Sequence, residues 1–99
     1  MKLYKISRVD TVGYDEYDSA VVSAKTKKDA RTIHPSPYVT HIKDGVWMGT
    51  YSGGKNKGGE YEQGSHDWVS LHEADKLEAE FLGDTNMDRG VILASFNAG

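Results

Sequence analysis

The sequence predicts an α+β fold: a mainly antiparallel sheet of about four strands, one short helix and an inserted β-hairpin. Three observations carry it. Apolar residues alternate with polar ones at both ends of the chain, an Asp-Gly pair separates two β-rich runs in the middle, and a helix-capping signal stands near residue 26. With 99 residues the chain is expected to form one domain, 1–99, in which 38–66 is the inserted hairpin and glycine-rich loop.

The first strand is expected over Lys2–Val9, where Tyr4 and Ile6 share one face and Leu3 and Val9 the other. Asp10–Asp18, with Gly13 and four acids, reads as a loop. A second strand follows over Ser19–Lys25, its Ala20, Val22 and Ala24 on one side. Thr26 and Asp29 are three residues apart, so hydroxyl and carboxylate can satisfy the free N–H groups of a helix start. Ala30 and Ile33 form the contact face of that helix, and Pro35 stops it at His34.

Between 70 and 82 two readings compete. Ser70 and Glu73 can open a helix that Gly83 closes, whereas Leu77, Ala79 and Phe81 alternate with Glu78 and Glu80 as in a half-buried strand. The segment is divided here into a helical turn, Ser70–Asp75, and a strand, Lys76–Leu82. Val91-Ile92-Leu93-Ala94-Ser95-Phe96 is apolar on both faces, the pattern of a central strand covered on both sides. Val91, Leu93 and Phe96 are therefore expected in the core, with Phe96→Ala costing about 3–5 kcal/mol. The long connection between the second and third main strands leaves room for mixed pairing.

Composition excludes several classes. The chain has no cysteine, hence no disulfide framework, zinc ribbon or thiol chemistry. Its longest apolar run is far short of a membrane helix, and Met1–Lys5 leads into no signal-peptide core, so a cytoplasmic protein without membrane contact is expected. The charge is uneven: residues 67–99 hold Lys76 and Arg89 against seven acids, which argues against binding a nucleic-acid duplex.

The ends of the chain carry a resemblance. Tyr14-Asp15-Glu16-Tyr17-Asp18-Ser19-Ala20-Val21-Val22, Ala24, Ala30-Arg31 and His34-Pro35, with Leu82-Gly83 and the final Gly90-Val91-Ile92-Leu93-Ala94-Ser95-Phe96-Asn97-Ala98-Gly99, resemble a family of small uncharacterised bacteriophage and prophage proteins. The likeness covers about half the chain. It implies a phage-type origin and supports a strand at Lys76–Leu82, but brings no catalytic residues with it.

The middle is where a site is expected. Asp44-Gly45 between Tyr38–Lys43 and Val46–Tyr51 marks a hairpin with a type I′ turn. After it, Ser52–Gly59 holds four glycines with Lys55 and Lys57. Backbone N–H groups of such a loop can converge on an anion, although the spacing matches no Walker loop or dinucleotide fingerprint, and the same composition suits a solvated tip. The candidate ligand- or partner-binding residues are Tyr51, Gly53, Gly54, Lys55, Lys57 and Tyr61, with Tyr14 and Tyr17 on the preceding acidic loop. Trp47 and Trp68 are the aromatics assigned to the core.

His66-Asp67 and His72-Glu73 match no metal or catalytic spacing, so no catalytic residues, metal site or cofactor are assigned. The function expected is a small non-catalytic phage-type binding protein that blunts a host process, by capping a host protein or sequestering a nucleotide signal. The alternative is a small enzyme that hydrolyses or modifies a phosphorylated ligand through His66, Asp67 or His72. Exposed strand edges also make a homo-oligomer an expected partner state.

Overall fold

In the computed structural model, residues 1–10, 12–63 and 67–97 are described. They form two antiparallel sheets with few short helices, so the coarse fold expectation holds. The larger sheet has four strands in the order β6-β1-β2-β7: β1 (Lys2–Ser7), β2 (Glu16–Ala24), β6 (Glu78–Asp84) and β7 (Gly90–Asn97). The smaller runs β3-β4-β5, from β3 (His41–Lys43), β4 (Val46–Thr50) and β5 (Glu60–Glu62). Every strand pair is antiparallel, which corrects the allowance for mixed pairing.

Alternation explains the centre of the larger sheet. Tyr4 and Ile6 on β1 face the same side as Ala20, Val22 and Ala24 on β2, and all five are buried. Against that face lie Ala30 of the helix α1 (Lys27–Ala30), Ile33, Trp68, Ala74 from a 3-10 segment, Leu71–Lys76, and Leu77 just after it. The Thr26 hydroxyl accepts the Asp29 amide at 3.0 Å, and the Asp29 carboxylate accepts the Lys25 amide, so the capping signal was sound. The helix is a single turn, ending at Ala30 rather than at His34. Ser70 makes no side-chain cap, so the second capping signal yields only the 3-10 segment before β6.

The main correction concerns β7. It is not a central strand covered on both sides but an edge, paired among the described residues only with β2. Leu93 is 68 % and Phe96 45 % exposed, and Val91 is also exposed, so none of the three is core. Sequence alternation shows which residues share a face; it does not show whether a second strand lies beside them. The second strand also begins three residues early, at Glu16, placing Tyr17 and Asp18 in β2 and not in the preceding loop.

The hairpin forms as expected, with positive φ at Asp44 (53°) and Gly45 (76°). A third strand, Glu60–Glu62, joins it, so the insertion is a three-stranded meander. Gly49 lets that sheet close: a Cβ there would lie 2.6 Å from the Tyr61 ring and 2.7 Å from the Tyr38 carbonyl oxygen. Trp47 and Trp68 are buried as expected, and the Trp47 indole N–H donates to the Val69 carbonyl at 2.9 Å, tying the small sheet to the rest. Among the described residues no helix is long and apolar enough to cross a membrane.

Candidate functional site

The chain between α1 and β3 bends sharply because Pro35 and Pro37 fix two backbone angles and cannot donate to a ladder. The bend holds a cleft of about 640 Å³ between the two sheets. Its walls come from Thr32–Pro37 and Val39–Ile42, from Trp47 on β4, and from Arg89, Gly90 and Val91 at the start of β7. A volume of this size falls in the range of small-molecule sites, about 300–1,000 Å³.

Buried polar groups set the shape of one wall. The His34 Nδ1 accepts the Ser36 amide at 2.9 Å, which leaves the ring proton on Nε2, 3.5 Å from Asp67 Oδ1. The imidazole stands edge-on to Trp47, with ring centroids 5.1 Å apart, and near Trp68 at 6.3 Å. The Ser36 hydroxyl accepts the Tyr38 amide at 3.2 Å. Behind it, burial and then the Asp67 charge push the Tyr17 phenol above its ordinary pKa, while a side-chain hydrogen bond to Ser36 acts in the opposite direction. His34, Ser36 and Tyr17 thus hold the proline bend to the larger sheet.

The opposite wall is fixed by Arg89. Its Nε donates to both Asp29 carboxylate oxygens, at 3.0 and 3.1 Å, and its Nη2 donates to the Thr32 hydroxyl at 2.9 Å. Asp29 therefore caps α1 and anchors β7 to it. At the outer rim His41 bonds to Thr40 and to Glu60 through its two ring nitrogens, and Lys43 holds the Glu60 carboxyl below its usual range. The ionisable residues of the cleft wall are His34, whose side chain is fully buried, His41 and Arg89; the described lining contains no carboxylate.

The residues singled out from the sequence lie elsewhere and in two groups. Tyr51 and Tyr61 come together, rings 4.6 Å apart, on the small sheet. Gly53, Gly54, Lys55 and Lys57 form the exposed turn beyond them, built on a 3-10 segment, Gly54–Asn56. Tyr14 is exposed on the far side, and Tyr17 is a scaffold residue whose ring packs edge-on against Phe96 at 4.8 Å. Of the residues named for the enzyme alternative, His66 lies outside the described residues. His72 is solvent-exposed beside Glu73, and Asp67 faces His34. Among the described residues no three His, Asp or Glu side chains are grouped to hold a metal.

Sequence reasoning missed the cleft because its walls come from segments far apart in the chain. The nearest signal is His34-Pro35, which ends a helix and forms part of the family resemblance, followed by a second proline at position 37. No protein-family model matches the chain, and no curated protein or solved structure matches it.

Proposed function

We propose that this chain is a small non-catalytic binding protein of the phage type its ends resemble, one that blunts a host process by sequestering a nucleotide-sized anion in the cleft. The observation that carries this reading is the charge of the lining. The chain as a whole has 15 acids against 12 Lys and Arg, yet the described cleft lining bears the Arg89 guanidinium and the His41 ring and no carboxylate, the Asp29 and Glu60 carboxylates that pair with them lying outside the lining. Pro35, Pro37, Val39, Ile42 and Val91 supply an apolar wall for the flat part of such a ligand.

Isothermal titration with AMP, and with inorganic phosphate for comparison, tests it. AMP is expected to bind more tightly than phosphate and to be recovered unchanged after the protein is denatured. Arg89→Gln should weaken binding about 10- to 100-fold, the effect of removing one charged hydrogen bond. Its melting temperature serves as the control for the lost tie to Asp29. No heat of binding with either probe would overturn the small-ligand reading, and conversion of AMP would replace it with the enzyme alternative.

A second reading, capping of a host protein, is favoured by the tilted Tyr51–Tyr61 ring pair beside the exposed Lys55 and Lys57. This surface suits an acidic partner. Lys55→Ala with Lys57→Ala should then weaken capture of that partner while leaving AMP binding and melting unchanged.

A further inference from the structure

β7 gives only Gly90 and Val91 to the cleft, and its outer edge is unpaired among the described residues. Eight residues long, it carries no charge from Gly90 to Asn97, and Ile92, Leu93 and Phe96 are all exposed along it. A long, uncharged, apolar edge exposes backbone groups that pair readily with another strand.

We infer that β7 pairs with β7 of a second copy of this chain, antiparallel about a two-fold axis at Ala94, to make a continuous eight-stranded sheet. The backbone sets the register. The Asn97 carbonyl accepts the Asp15 amide at 2.6 Å on the β2 side. By strand alternation, the amides and carbonyls of Phe96 and Ala94 then point away from β2, into open space. Ala94 meets Ala94 of the partner subunit and exchanges two hydrogen bonds with it.

Side-chain faces agree with this register. Ala94 packs on the core side and Phe96 faces Tyr17, so both are on the inner face, while Leu93 lies opposite Val21 on the outer face. Leu93 then lies across from Ser95 of the partner subunit, twice by symmetry, with the bulged Ile92 just beyond the pair. Exposed apolar area is covered on both faces.

Charge selects this pairing over the others. The opposite edge, β6, carries Glu78, Glu80 and Asp84, so two β6 strands would set carboxylates against carboxylates. Pairing β7 with β6 of another copy leaves an edge open at each end and propagates into a filament. Self-pairing of β7 sets no like charges opposite one another and closes.

Light scattering across a concentration series, read with two variants, tests the inference. The parent should reach twice 10.9 kDa. Ala94→Pro, which deletes an outward N–H on an edge strand, should halve that mass while the monomer keeps its circular dichroism spectrum. Since the chain has no cysteine, Leu93→Cys combined with Ser95→Cys reports the register directly. These positions form a non-hydrogen-bonded pair whose Cβ atoms approach closely enough for a disulfide. Oxidation should give a covalent dimer on non-reducing gels, and Lys55→Cys should not. A parent that stays monomeric overturns the inference, as does a dimer that Ala94→Pro leaves intact or that the paired cysteines do not trap.

Discussion

The two edges of the larger sheet are built alike at the core and differently at the rim. Each carries a half-exposed phenylalanine set edge-on against a tyrosine of the neighbouring central strand: Phe81 against Tyr4 at 5.9 Å on β6, and Phe96 against Tyr17 at 4.8 Å on β7. Each also contains a bulge, at Leu82 on β6 and at Ile92 on β7. The difference lies in what separates the apolar residues. On β6 they alternate with Glu78 and Glu80, which discourage a further strand; on β7 nothing charged intervenes. Similar packing thus coexists with opposite charge patterns, and on the proposed pairing it is the carboxylates that leave β7, not β6, as the edge for a second copy.

Substitutions of decreasing effect sharpen that contrast. The core beneath both edges should be the most sensitive. Trp68 is 1 % exposed, and Trp68→Ala should cost about 3–5 kcal/mol, enough to leave much of the protein unfolded in a denaturant titration. The two edge phenylalanines should be milder. Phe81→Ala and Phe96→Ala should each cost about 1–2 kcal/mol in the monomer, from partial burial and one aromatic contact. Melting at rising protein concentration separates them: on the proposed β7 pairing the Phe96→Ala deficit should grow, whereas that of Phe81→Ala should stay constant.

The smallest effect is electrostatic. The Ser95 hydroxyl on β7, and then Ser19, hold the Asp18 carboxyl below its ordinary pKa. A lowered carboxylate pKa contributes stability above the unfolded value, near 3.9, and that contribution is lost as pH falls through the folded value. Ser95→Ala should therefore raise the Asp18 pKa in an NMR titration and flatten the acid side of the stability profile, with little change at neutral pH. An unchanged pKa would show that β7 does not hold that carboxylate.

Period-two alternation located β1, most of β2 and β6, since apolar residues recur at every second position in each. The Asp-Gly turn located the hairpin because few residues tolerate positive φ at both central positions. What failed were properties that local pattern does not encode. Val91–Phe96 looks like a buried strand because it is apolar throughout, yet edge or centre depends on which strands pair in space. Glu60-Tyr61-Glu62 has weak strand propensity and becomes β5 only because β4 lies beside it. Tyr17 and Asp18 were assigned to a loop by the acids around them, but Tyr17 donates its amide to the Asp67 carbonyl and packs inward.

The candidate site was the least legible part. Aromatic and glycine content pointed to the Gly53–Gly59 turn, where the residues are exposed on a surface. The cleft draws on Thr32–Ile42, Trp47 and Arg89–Val91, and the residues that shape it stand in sequence as a helix stop, a hairpin strand and a turn. His34 in particular shows no metal or catalytic spacing, and its burial between Trp47 and Asp67 is a property of the folded chain alone.

The most direct test of the proposed function is an amide chemical-shift titration of the protein with AMP. Concentration-dependent shifts are expected in Thr32–Ile42 and Arg89–Val91, with the amides of Lys55 and Lys57 unmoved. Shifts confined to the Gly53–Gly59 turn, or none anywhere, would contradict it.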